Sequence, residues 1–468
     1  MGTGYDVDFL GCKISHTDAQ AIGEALAAAG HDEVSAGADV RVVNTCCITQ
    51  EAEKKSRQRV RRMLTATGDD GRVFVTGCGA SNGPERYEQM DDRVTVLPGA
   101  ATLAASAIVE AADELAGLGC RGPAPGVAPG HEPRSSRTTQ RTRAFVKVQD
   151  GCDFDCSYCI VPIVRGAPRS RGMETVLEEV ARRVAQGRRE IVLTGVNVGL
   201  YRDPDARVGL DRLLVAVADV PGVVRVRISS IESNHVNRRL VAAMASHPAV
   251  CHHLHVPLQS GDDDVLADMG RHYDARRYAR AIATARAAMP DLNLTTDVIV
   301  GYPSEDGASF ERTLAFVAEL GFTKVHAFPF SERPGTDATQ HRDPIARAVK
   351  ADRSRRLREQ ADAAALEHRA RLVGRCDEVV VETRALRGSG ATAGVLLTDE
   401  HVAAATTADA RGSTEGGLRT GYTRDYSPVR LLGLPAGTDN GTIVDVLLER
   451  LDPVSGVLDA RYVGDAAG

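Results

Sequence analysis

The chain has 468 residues, 43% of them hydrophobic and 26% charged, which is enough for several buried cores, so roughly three domains are expected and a peptide, a fibre or a wholly disordered tail is excluded. The formal charge of -6 gives no global basic field, so any contact with nucleic acid has to come from local patches. No apolar run approaches the ~20 residues of a spanning helix, and Met1 to Leu10 lacks the basic start and apolar stretch of a signal peptide, so a cytoplasmic protein without a membrane segment is expected.

From Val7 to about Leu118, β-prone runs at Val7–Leu10, Val40–Asn44, Arg72–Gly77 and Val94–Leu97 alternate with helical stretches at Asp18–Ala29 and Glu51–Thr65, the pattern of a small α/β domain over residues 1–118. Cys12, Cys46 and Cys78 each follow one of these strands. Residues after strand C-termini in a parallel sheet converge on one edge, so the three thiols can meet in space. Residues 119–141, rich in Gly, Pro, Ser, Thr and Arg, read as a linker.

Beyond it, strands are predicted at Ala144–Val148, Glu190–Thr194, Val224–Ser229, His252–Val256, Leu292–Val300 and Lys324–Phe330, most separated by helical material. This is an α/β pattern of a partial (β/α)6 TIM-like barrel over residues 142–373. An Arg- and Ala-rich helix from Pro344 to Leu372 closes it. Short β runs at Asp377–Glu382, Gly394–Leu397, Pro428–Leu432 and Gly441–Leu448 then predict a small antiparallel β-barrel over 374–450, with 451–468 as a tail and Gly388–Gly417 as a partly disordered insertion.

Ten cysteines without a secretion signal argue for metal or redox use rather than a disulfide framework. Cys152, Cys156 and Cys159 form a Cys-x3-Cys-x2-Cys array directly after the first barrel strand. Three thiolates at this spacing can hold three irons of a [4Fe-4S] cluster and leave the fourth open to a ligand. A zinc knuckle is the plainer alternative, but zinc wants a fourth Cys or His nearby, and none follows Cys159 closely.

The array resembles the signature of the radical S-adenosylmethionine (SAM) enzymes. The words around it (Val148-Gln149-Asp150-Gly151, Arg165-Gly166, Ser170-Arg171, and upstream Gly11-Cys12-Lys13, Thr45-Cys46 and Gly77-Cys78) resemble the methylthiotransferase family over almost the whole chain. That resemblance implies one [4Fe-4S] cluster on Cys152, Cys156 and Cys159 that cleaves SAM to a 5'-deoxyadenosyl radical. It also implies a second cluster on Cys12, Cys46 and Cys78 where sulfur is delivered, and a C-terminal TRAM-like RNA-binding barrel. A monomer acting on tRNA with an electron donor such as flavodoxin or ferredoxin is the corresponding expectation.

For SAM, the polar residues at strand ends are the candidates: Asn197, Ser230, Gln259 and Gly301, with Tyr158 from the cysteine array, set against the plainer reading that such residues cap helices and tighten turns. Cys47 adjoins Cys46 and can compete with it, although strand alternation should point it away. His252, His253 and His255 have a metal-like spacing, but His253 is expected to face away from the other two, which favours core or surface roles. Lys54, Lys55, Arg57 and Arg61 lie on one predicted helix and form a candidate phosphate-binding face; charge runs are also ordinary solvated faces.

Within the family, Asn44-Thr45-Cys46-Cys47-Ile48-Thr49, Thr194-Gly195-Val196-Asn197 and Gly421-Tyr422-Thr423 resemble most the branch that modifies threonylcarbamoyladenosine 37 of tRNA. The isopentenyladenosine and ribosomal-protein aspartate branches are the alternatives, and a non-catalytic iron-sulfur or zinc RNA-binding protein is the reading from another class. Ser15 stands where the family often has Asn, and Pro303-Ser304-Glu305 where Pro-Gly-Glu is usual; both departures bear on fine substrate contacts.

Overall fold

A computed structural model describes residues 2–34, 36–99, 101–117, 142–340, 345–382 and 419–466. The chain divides into two compact units. One comprises Met1–Arg141, Asp150–Arg169 and Ser331–His341; the other comprises Thr142–Gln149, Ser170–Phe330 and Arg342–Gly468. The cysteine array therefore packs with the N-terminal residues, although it was expected inside a continuous 142–373 domain. The linker 119–141, the run Gly394–Leu397 and the Gly388–Gly417 insertion lie outside the described residues.

The first unit is built on a five-stranded parallel sheet in the order Asp32–Glu33, Gly4–Phe9, Val40–Thr45, Arg72–Thr76, Val94–Val96. All six residues of Val40–Thr45 are buried, as in a strand covered on both faces. The period of two sorts them: Val40 and Val42 enter a core with Ile22, Leu26 and Ile108, while Val43 packs with Val60, Met63 and Tyr87. The helix Gln50–Ala66 starts where Thr49 accepts the Ala52 N–H at 3.1 Å, with Glu51 and Glu53 in its first turn.

In the second unit six strands occur in chain order: Ala144–Lys147, Glu190–Thr194, Arg225–Ile228, His253–His255, Asn293–Val300 and Lys324–Pro329. The first three pair in parallel, as do the last three, and the parallel bridges Val226–Val250 and Ser230–His255 join the halves. The helix Arg347–Ala370 follows.

The C-terminal strands Cys376–Glu382, Arg419–Tyr422, Pro428–Leu432, Leu458–Asp465 and Ile443–Leu451 close into a barrel in that order. Two expectations change here. The tail 451–468 holds the strand Leu458–Asp465, which pairs with Ile443–Leu451 on one side and Pro428–Leu432 on the other and is needed for closure. The pairing with Pro428–Leu432 is also parallel, so the barrel is not wholly antiparallel.

Candidate functional site

The sheet order of the first unit is the doubly wound 2-1-3-4-5 arrangement, which binds ligands beyond the carboxyl ends of the strands where the winding reverses. Cys12 follows Gly4–Phe9, Cys46 follows Val40–Thr45 and Cys78 follows Arg72–Thr76, three neighbouring strands. Two glycines make the approach possible. Gly11 has φ +120°, and a Cβ there would lie 2.7 Å from Ser15 Oγ and 3.3 Å from Cys46 Sγ; Gly77 has φ +84°, and a Cβ there would lie 2.3 Å from Asn44 Oδ1.

Cys46 and Cys78 are buried and Cys12 is exposed, and none of the described cysteines is in a disulfide. Burial pushes the Cys46 thiol up to about 11, with Cys78 and Cys12 adding to the rise and Arg165 opposing it. Burial likewise raises Cys78, against the Arg165 guanidinium. The two buried thiols, Cys46 and Cys78, have their ionised form disfavoured by desolvation and helped only by the Ile48 backbone N–H at Cys46 and by Arg165. A metal centre reverses that balance by deprotonating its thiol ligands, so this donor set fits an iron-sulfur cluster. Cys47, just past the strand end, donates its Sγ to the Cys78 carbonyl at 3.2 Å and packs against Cys78, Ile160 and Val164.

The array Cys152–Cys159 belongs to the same unit and is irregular backbone, with its three thiols half-buried. Its ends are tied by Cys152 N–H to the Gly166 carbonyl (3.0 Å) and Cys159 N–H to the Cys156 carbonyl (2.9 Å), and Ala338 N–H donates to the Ser157 carbonyl at 2.7 Å. Tyr158 is half-buried in this loop. Three thiols on a loop outside helix and strand can also hold a cluster with one open iron.

Arg165, at the end of the short helix Val161–Arg165, was legible in the sequence only as part of a family word. Its Nε donates to Cys78 Sγ at 3.1 Å, Nη1 to both carboxylate oxygens of Asp150 at 2.9 and 3.1 Å, and Nη2 to Asp18 at 3.0 Å. It lines a cavity of about 460 Å³ together with Cys78, Asn44, Thr76, Ser81 and Arg169. Asn44 Oδ1 and Thr76 Oγ1 are buried without a hydrogen-bond partner among the described residues. Arg333, also missed in the sequence, donates to the Cys47 carbonyl at 2.8 Å and to Glu53 at 3.1 Å.

In the second unit Asn197, Ser230, Gln259 and Gly301 each follow the end of a different strand, four in succession, and so share one edge of the sheet. The buried Asn197 caps a 3-10 turn by accepting the Gly199 N–H at 3.2 Å, while its own N–H donates to Gln149 Oε1 and its Nδ2 is buried without a hydrogen-bond partner among the described residues. Gln259 holds φ +65°, uncommon for a residue with a side chain. Gly301 donates to Glu305 Oε1 at 3.0 Å.

The histidines depart from expectation. His253 and His255 both reach Thr295 Oγ1, at 3.2 and 2.9 Å, and so share a face, while His252 turns out to Asp291 at 2.7 Å. The strand begins at His253, so residues 253 and 255 are the alternate pair.

On Gln50–Ala66, Lys54, Lys55 and Arg61 are exposed and Arg57 is half-buried. Lys55 pairs with Glu51 at 3.4 Å and Arg57 with Glu53 at 3.2 Å; Glu53 also takes Arg86 and Arg333, which draws Arg57 into the internal network. Cys251 is buried and Cys376 exposed, and Cys120 lies outside the described residues. No described helix is long and apolar enough to cross a membrane.

Comparison with known proteins agrees with this geometry. Residues 146–317 match the model of the radical SAM superfamily, and residues 5–99 match that of the uncharacterized protein family UPF0004. The threonylcarbamoyladenosine tRNA methylthiotransferase MtaB of Thermotoga maritima is 35% identical over 82% of this chain and 87% of its own. The tRNA-2-methylthio-N(6)-dimethylallyladenosine synthase of Sorangium cellulosum is also 35% identical, over 84% of each chain. Among solved structures, the radical SAM methyltransferase TsrM of Kitasatospora setae shares the fold, with TM-score 0.52 and 14% identity over 72% of this chain and 77% of that one. Identity at this level across more than four-fifths of both chains shows the family: this chain is a radical SAM methylthiotransferase, an enzyme that works with SAM and two [4Fe-4S] clusters.

Proposed function

We propose that this enzyme adds a methylthio group to C2 of N6-threonylcarbamoyladenosine at position 37 of tRNA, with Cys152, Cys156 and Cys159 holding one [4Fe-4S] cluster and Cys12, Cys46 and Cys78 the other. The observation that carries the residue assignment is that two triads of cysteines outside disulfides lie in one compact unit, one after three adjacent strands and the other on the loop just before the helix that ends in Arg165. When bound, the first cluster supplies the electron for reductive cleavage of SAM and the second an iron site for sulfur. The chain's own part is to hold and orient. In the second unit Asn197, Ser230, Gln259 and Gly301 contact SAM; in the first Arg165 steadies the Cys78 ligand, and Lys54, Lys55, Arg57 and Arg61 contact the RNA backbone, as the TRAM-like barrel also does.

The enzyme acts in the cytoplasm as a monomer and takes electrons from a flavodoxin- or ferredoxin-like donor. The MtaB relatives and the family words at Asn44–Thr49 favour the threonylcarbamoyl substrate. The equally similar dimethylallyladenosine relatives make that substrate the second reading. Mass spectrometry of tRNA nucleosides with and without the gene tests both: loss of 2-methylthio-N6-threonylcarbamoyladenosine and a rise of its precursor is expected. Loss of the dimethylallyl product instead selects the second reading, and an unchanged profile sinks both.

A further inference from the structure

In the second half of the β/α sheet, Leu254, Leu294, Val298 and Val325 enter the apolar core under the helices. The intervening residues therefore project onto the opposite, concave face. There His255, Asp297 and His326 meet, with ligand-type atoms all within 4.8 Å of one another. His255 Nε2 lies 3.2 Å from Asp297 Oδ2, and its Nδ1 is held 2.9 Å from Thr295 Oγ1. The His326 ring is 5.8 Å from that of His255 and 6.3 Å from Phe328, nearly parallel to the latter at 26°. His255 and Asp297 are half-buried, His326 is exposed, and Phe328 is 44% exposed. No packing requirement puts a carboxylate between two imidazoles beside an open aromatic ring. The concave side toward the strand C-termini is where β/α sheets bind ligands.

The two substrates considered above differ only in the N6 group. A threonylcarbamoyl group carries N–H, hydroxyl, carbonyl and carboxylate functions; a dimethylallyl group is hydrocarbon. The latter would strip water from the imidazoles and carboxylate and give nothing back, whereas the former can pair with each. We propose that His255, Asp297 and His326 form the wall that reads the N6 substituent. Asp297 accepts from its hydroxyl and N–H, the exposed His326 imidazole donates an N–H to its carboxylate, His255 holds Asp297 in place, and Phe328 offers a face to the adenine. This deepens the functional reading above and rests on it.

The test uses the full-length, cluster-loaded enzyme and two anticodon stem-loop RNAs that are identical except at position 37, which carries threonylcarbamoyladenosine or plain adenosine. The wild type is expected to bind the modified RNA more tightly. His326→Leu and Asp297→Asn are each expected to lower that preference about ten- to a hundredfold, the loss of a hydrogen bond to a charged group, and His326→Gln, which keeps a donor, to recover part of it. Iron content and thermal midpoint, measured alongside, show that each variant is folded, and exposed His326 is the safer site. An undiminished preference in folded His326→Leu overturns the wall while leaving the reaction standing. Zinc bound by the wild type and lost in both variants also overturns it, by giving the cluster to a metal. A wild type that methylthiolates neither threonylcarbamoyl nor dimethylallyl tRNA defeats the functional reading and this inference with it.

Discussion

Arg165 satisfies a thiol and two carboxylates with one guanidinium, a task that needs the planar fork and that a point charge cannot repeat. It is 9% exposed at the side chain and Asp18 is 5% exposed, so truncation strands buried carboxylate. Arg165→Ala is expected to cost roughly 3–5 kcal/mol in urea unfolding, as for one half of a buried pair, with Arg165→Lys intermediate. Equal midpoints for wild type and Arg165→Ala would show that solvent reaches these groups. A second contrast separates neighbours. Cys46→Ser is expected to lose the iron of one cluster, while Cys47→Ser, whose thiol is turned to the Cys78 carbonyl, keeps it; iron analysis of both proteins decides. The placement of Cys12, Cys46 and Cys78 just after strands and of Cys152, Cys156 and Cys159 in one loop was legible because spacing and position after strands are local properties. The fork of Arg165 was not, because Asp18 lies 147 residues away in the chain.

Elements with strong periodicity were legible almost to the residue: Glu190–Thr194 and Pro428–Leu432 occur as expected. Leu458–Asp465 was read as a tail because only Leu458, Ala460 and Tyr462 alternate inward, one of them small, and because Asp459 is buried. That aspartate is stabilised by Arg430 and Arg450, which no local pattern announces. Ending the chain after Asp452 would leave Ile443–Leu451 and Pro428–Leu432 with unpaired edges and uncover Val446, Leu448 and Val429. Open apolar edges invite association. The truncated protein is therefore expected to aggregate on expression and to lose protease resistance from about Cys376 onward; a soluble, resistant truncation would show that the last strand is dispensable.

At the scale of the whole molecule, one buried carboxylate organises the join between the β/α sheet and the C-terminal barrel within their shared unit. Glu190 is 1% exposed and receives Arg227 Nε at 3.0 Å and Arg225 Nη1 at 3.4 Å. Arg225 also reaches the Tyr422 carbonyl at 3.2 Å and Glu378, and Arg143 reaches Glu382 at 2.8 Å while its guanidinium lies 5.0 Å from the centre of the Tyr426 ring. Burial alone would raise the Glu190 carboxyl. The guanidinium groups of Arg227, Arg143 and Arg225 overcome that and hold it down at about 2. The folded value lies below the unfolded one near 4.5, so Glu190 stabilises the fold fully above that pH, and the contribution is lost as pH falls through about 2. Glu190→Gln removes the charge and leaves the three guanidinium groups facing one another in low dielectric. It is expected to cost several kcal/mol, roughly 3–5, at pH 7. Its deficit relative to the wild type should shrink as pH is lowered from 4.5 toward 2, because the wild-type carboxylate is then neutralised too. Calorimetry across that range tests this, and the C-terminal barrel should melt apart from the β/α sheet in the variant. A deficit that stays constant with pH would place the cost in side-chain packing instead of charge, and would free the join between the two layers from its dependence on Glu190.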